Sequence, residues 1–122
     1  MSYDKNNIFA RILRGEIPCK KIYENEYILS FYDINPQKKV HALVIPKSEY
    51  LDLDDFSSRA SEKEICELIK GISLVAKKLG ISLFSNGKGY RSLVNIGEHG
   101  GQEVPHLHFH LFGGEKVGKM VS

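Results

Sequence analysis

Apolar residues recur along this chain in two rhythms, one helical and one alternating. Ile8, Phe9, Ile12 and Leu13 fall at helical spacing, with Gly15 and Pro18 as stop signals, which predicts a short amphipathic helix. Residues 20–25 and 27–33 read as two short strands joined by a tight turn at Asn25-Glu26. Asn35-Pro36 marks a loop. Residues 41–45 form a compact apolar run closed by Pro46, which predicts a central strand. Residues 51–58 are acidic and without period, and read as irregular. The clearest helix starts after Ser61, because Ser61 and Glu64 have the spacing of a capping box. Ile65, Leu68, Ile69, Ile72, Val75, Ala76 and Leu79 continue it at helical period, and Gly80 ends it. Gly71 in its middle costs about 1 kcal/mol relative to alanine, which points to close packing against a sheet. Residues 86–89 make a turn, 90–96 a strand, 97–101 a glycine-bearing loop and 107–112 a last strand ended by Gly113-Gly114. A run of strands, one long helix and two more strands predicts an antiparallel α+β layer rather than a doubly wound sheet.

The last strand carries the chemistry. His106, His108 and His110 alternate with Leu107, Phe109 and Leu111. A strand has a side-chain period of two, so the imidazoles should share one face and the apolar residues the core face. The chain has 5 histidines, and three of them fall here. Such a row suits phosphate or metal chemistry. Zinc needs bonds of about 2.0–2.1 Å, and three histidines on one strand converge poorly on such a point. A metal would need an outside ligand, with His41 or His99 as candidates. An extended anion fits the row better, and Gly100-Gly101-Gln102 offers backbone N–H groups and an amide that could approach a phosphate. Pro105 suits the beginning of a strand and pushes Val104 toward an extended conformation. His99, in the glycine loop, reads as solvent-exposed and incidental.

Composition narrows the class. At 122 residues the chain is read as one domain, residues 1–122, with a modest core. Lys and Arg number 17 against 15 Asp and Glu, so no strong field favours nucleic acid or a membrane surface. No apolar run approaches the roughly 20 residues of a membrane span, and the polar start lacks a signal-peptide core. A cytoplasmic location is expected. Cys19 and Cys66 match no metal-ligand spacing and read as buried or half-buried thiols.

These motifs together resemble the histidine triad (HIT) family, in its nucleotide-binding branch and especially the bacterial members. His106-x-His108-x-His110 followed by Leu111-Phe112 is the triad pattern. Ile8-Phe9 through Gly15-Glu16-Ile17-Pro18 resembles that family's opening helix, and Phe31 to Gln37 its nucleoside-binding segment. His41 to Pro46 resembles its central strand, and Gly100 to Val104 with Gly113-Gly114 flank the triad as in that branch. The resemblance implies an α+β fold with a five-stranded antiparallel sheet, a short N-terminal helix and one long helix. Two sheets would join into a ten-stranded sheet in a homodimer. It implies a purine nucleoside phosphoramidate hydrolase that acts at the α-phosphate and releases a nucleoside monophosphate, AMP or GMP, and an amine. The alternatives are a dinucleoside polyphosphate hydrolase, or a nucleotide-binding or interaction module with incidental hydrolysis.

Carried over by position, His108 resembles the nucleophile, His110 a phosphate contact, and His41 with His106 a proton-relay pair. Asp33 resembles the carboxylate that accepts from the ribose hydroxyls. Ile34, Ile8, Phe9, Ile12 and Leu43 would form the apolar slot for the base, and Asn95, Gly101 and Gln102 would contact sugar and phosphate. No cofactor and no metal are expected, since imidazolium groups and N–H donors carry the charge stabilisation. Two departures matter. Asn7-Ile8-Phe9-Ala10 stands where some bacterial relatives carry a zinc-binding cysteine pair, so no zinc is expected. Glu103 stands where eukaryotic relatives carry serine beside the leaving group, and would favour a cationic or polar amine.

Overall fold

The computed structural model describes residues 2–121. Five strands form one antiparallel sheet: β1 (Lys21–Glu24), β2 (Ile28–Tyr32), β3 (Val40–Pro46), β4 (Arg91–Val94) and β5 (Phe109–Gly113), in the order β1-β2-β3-β5-β4. Three helices accompany it: α1 (Ile8–Leu13), α2 (Leu53–Arg59) and α3 (Glu62–Lys78). Among the described residues no helix is long and apolar enough to cross a membrane.

Alternation along the strands sorts residues between two cores. Ile28, Ala42, Val44, Leu107 and Leu111 pack with Leu68, Ile72 and Val75 of α3 on one face. Leu29, Phe31, Leu43 and Ile45 pack with Phe9 of α1 on the other. Helix α3 begins with the capping box expected of Ser61 and Glu64. Glu64 also accepts the Tyr50 hydroxyl at 2.9 Å, so one carboxylate ties the helix start to the loop after β3. A Cβ at Gly71 would lie 2.2 Å from Ile28 Cδ1, so glycine lets α3 sit directly on β2. That contact is the tight packing its mid-helix position implied.

The acidic stretch after β3 is more ordered than its lack of period suggested. Helix α2 covers residues 53–59, with Asp52 accepting from the Asp55 amide as N-cap. Asp52-x-x-Asp55 is a capping signal, and at two turns the helix is too short to show a period. A 3₁₀ turn at Leu83–Ser85 also went unpredicted. At the hairpin between β1 and β2, the Asn25 side chain accepts from the amides of Tyr27 and Ile28, doing the work a glycine turn does elsewhere. Of the two thiols, Cys19 is half-buried and Cys66 is exposed, against the expectation that both would be covered.

Candidate active site

The sheet places its histidines by register. His110 on β5 pairs with Leu43 of β3 and Leu93 of β4, and His41 pairs with Phe112 two residues further on. His41 and His110 are therefore diagonal neighbours on one face, with His41 Nε2 2.9 Å from His110 Nδ1. The Asp33 amide donates to the His41 carbonyl, which carries the β2–β3 ladder one step further. Asp33 Oδ2 then lies 3.5 Å from His41 Nε2. His106 and His108 precede the ladder of β5, whose pairing begins at Phe109. Both still keep the alternation: the Phe9 ring lies edge-on to each, while Leu107 and Leu111 join the α3 core.

Hydrogen-bond partners assign the tautomers. A carbonyl can only accept, so a ring nitrogen bonded to one must carry a proton. His108 Nδ1 lies 2.7 Å from the His106 carbonyl and donates to it, leaving the lone pair on Nε2. His106 Nε2 donates to the Pro46 carbonyl at 2.9 Å, so its Nδ1 accepts from the Tyr3 hydroxyl at 2.5 Å. The Gln37 amide donates to His41 Nδ1 at 3.2 Å, which puts the His41 proton on Nε2. That proton goes to His110 Nδ1, and His110 keeps its own on Nε2.

A cavity of about 200 Å³ opens beside this row, lined by Asp33, Asn95, Gly101, Glu103, His108 and His110 over a floor of Phe9 and Leu43. Asn35, Gln37 and Val104 line it too; the first two lie inside the segment 31–37 but carried no separate signal. The other expected residues fall elsewhere. Ile34 is 83% exposed and Ile8 is exposed as well, while Ile12 faces a separate groove with Leu13 and Cys19. His106 is fully buried with both nitrogens engaged, and His41 contacts His110 rather than His106. Those two therefore do not form the pair the resemblance implied. His99 is exposed.

The glycine loop also differs from its expected use. The amides of Gly101 and Gln102 donate to Glu98 and Gly97 within the loop. The Gln102 side chain donates to the carbonyls of Leu51 and Val104 and accepts from the Gly97 amide. It braces the loop, with both donors already committed. Gly100 must be glycine, because a Cβ there would lie 2.3 Å from the Ile96 carbonyl oxygen.

Electrostatics keep the row neutral. Burial is the main cause that pushes His106 and His110 down to about 4, and it lowers His41 and His108 as well. An unfolded histidine takes its proton near pH 6.5, so the unfolded chain binds more protons between there and about 4. Stability should be full above pH 6.5 and fall steadily as the pH drops toward 4. Urea unfolding at several pH values checks this, and a flat profile across that window would contradict the burial.

Asp33, His41 and His110 each offer one ligand atom, all within 4.8 Å of one another. Their proton arrangement suits a metal poorly. A metal on His41 Nε2 needs the proton on Nδ1, where it would point at the Gln37 N–H.

The sheet and its sequestered histidine row define a class: a five-stranded α+β domain with a neutral imidazole lining a small polar cavity. The HIT domain family model matches residues 14–117, and the chain belongs to the HIT family. A HIT-like protein from Azospirillum brasilense is 54% identical over 99% of this chain and 96% of its own length. The purine nucleoside phosphoramidase of Escherichia coli K12 is 36% identical, over 97% of this chain and 95% of that one. Among solved structures, a HIT family hydrolase from Clostridium thermocellum superposes with a TM-score of 0.85 at 35% identity, covering 98% of this chain and 99% of that one.

Proposed function

We propose that this chain is a cytoplasmic nucleotide hydrolase that cleaves purine nucleoside phosphoramidates at the α-phosphate. The observation that carries the reading is the His108 tautomer. Its Nδ1 proton is held by the His106 carbonyl, which leaves the lone pair on Nε2 of a ring that lines the cavity. Burial keeps the ring neutral, and a neutral imidazole is the nucleophilic form. Nε2 attacks phosphorus, the phosphorus–nitrogen bond breaks, and the amine leaves with a proton. His110 Nε2–H donates a hydrogen bond to the departing nitrogen, while the proton itself comes from solvent, because a neutral imidazole that gave up its N–H would become an imidazolate. Water then attacks the nucleotidyl-histidine, the Nε2–phosphorus bond breaks, and the monophosphate is released with one proton to solvent. Asp33 is suited to accept from the ribose hydroxyls, Asn95 to contact the sugar, and Phe9 with Leu43 to meet the base.

Support comes also from relatives that carry phosphoramidase and hydrolase names. The reading includes a homodimer in which two five-stranded sheets join edge to edge; β1 and β4 are the strands with an unpaired side. The test is turnover on a panel of an adenosine phosphoramidate, a guanosine phosphoramidate and a diadenosine polyphosphate, with intact-mass detection of the adduct. Fastest turnover on a phosphoramidate, with one nucleotidyl group added to the protein, is the expected outcome. Faster cleavage of the polyphosphate would assign the chain to that chemistry instead.

A further inference from the structure

Tyr3 has no part in the reading above, and nothing in its sequence context marked it. The structure delivers it to the first histidine of the row. A turn at residues 4–7 positions it: the Asn6 amide donates to Asp4 Oδ1, and the Asn7 amide and side chain to the Asp4 carbonyl. Arg14 donates to the Lys5 carbonyl, and Lys5 pairs with Glu49, so the turn is tied at Lys5 to the body of the fold. The Tyr3 ring meets His106 edge-on with centroids 5.6 Å apart.

His106 needs this second anchor. It lies outside the β5 ladder, and its own amide is spent on a local bond to the Val104 carbonyl. The peptide that joins it to Leu107 is held at its N–H end by the Tyr50 carbonyl. Its other end depends on the His106 side chain, clamped between the Pro46 carbonyl and the Tyr3 hydroxyl. The carbonyl of that same peptide receives the His108 Nδ1 proton.

We propose that Tyr3 is a positioning residue: by donating to His106 Nδ1 it fixes the tilt of that ring, and so keeps the His106 carbonyl aimed at His108. This assigns His106 a holding role rather than a relay role. With Nε2–H bound to a carbonyl and Nδ1 bound to a hydroxyl, the buried ring has no free nitrogen to offer a substrate. The inference rests on the His108 reading, and its test has one arm independent of turnover.

Tyr3→Phe removes the hydroxyl and keeps the ring. Expected in the turnover arm is a loss of about tenfold in kcat, or ~1.4 kcal/mol, with KM within about twofold. Expected in the second arm, ¹⁵N NMR of the free protein, is a change of His108 from a single Nδ1–H tautomer to a mixture. Wild-type kcat, or a lowered kcat with an unchanged His108 spectrum, would overturn the proposal. If the parent protein turns over no phosphoramidate, the proposed function fails and the NMR arm still decides the role of Tyr3. Should Tyr3→Phe not fold, His106→Gln supplies the second reading. Its amide can donate to Pro46 and accept from Tyr3, but it does not titrate. Turnover well above that of His108→Ala supports holding, and turnover equal to it overturns holding.

Discussion

His108→Ala is expected to abolish turnover, by on the order of 10⁴-fold or more, together with the nucleotidyl adduct. No other group in the row can take over. His106 has both nitrogens bonded and is fully buried, and His41 has Nδ1 facing the Gln37 amide. His110 presents a proton at Nε2 and uses its lone pair on His41. Binding should survive, because Asp33, Asn95 and Leu43 line the cavity without touching the lost ring's hydrogen bond. Titration with AMP measured by calorimetry, beside single-turnover kinetics, checks both halves. A variant within tenfold of the parent rate would remove His108 from the chemistry.

His110→Ala is expected to cost on the order of 10²–10³-fold in kcat, the range for losing one donor aimed at developing charge. The loss should depend on the leaving group. An amine must take up a proton as it departs, whereas a nitrophenolate need not. The same variant tested on a nitrophenyl ester of AMP should therefore recover most of the rate. An equal loss on both substrates would place the role of His110 on the phosphate oxygens rather than on the departing nitrogen. The change also strips His41 Nε2–H of its partner at 2.9 Å and leaves only Asp33 at 3.5 Å. A buried donor so exposed costs ~1–3 kcal/mol, so thermal stability should drop alongside activity.

The first of these variants addresses a residue of the row that periodicity marked, singled out within it by the family resemblance. Alternation of imidazole and apolar residues at 106–111 predicted which side of the sheet each would take, and Leu107 and Leu111 do pack against α3. Helix α3 was equally legible, because Ser61, Glu64 and Gly71 each carry a local signal that the fold uses. Helix α2 was not, since two turns are too short to show a period. The base slot was legible only in part: Phe9 and Leu43 reach the cavity, whereas Ile34 sits on a turn that faces solvent.

Strand period, helix caps and the triad pattern are local properties, set by side chains within a few residues of one another, and the amino-acid order decided them unaided. Proton placement is different in kind. Which nitrogen of His106 and of His41 holds its hydrogen depends on Pro46 and Gln37, and the His106 carbonyl that holds the His108 proton is set in place by contacts that form only when β3 lies against β5 and the N-terminal turn closes over His106. The chain alone could name four histidines; packing alone decided that one of them would be left with a lone pair to use.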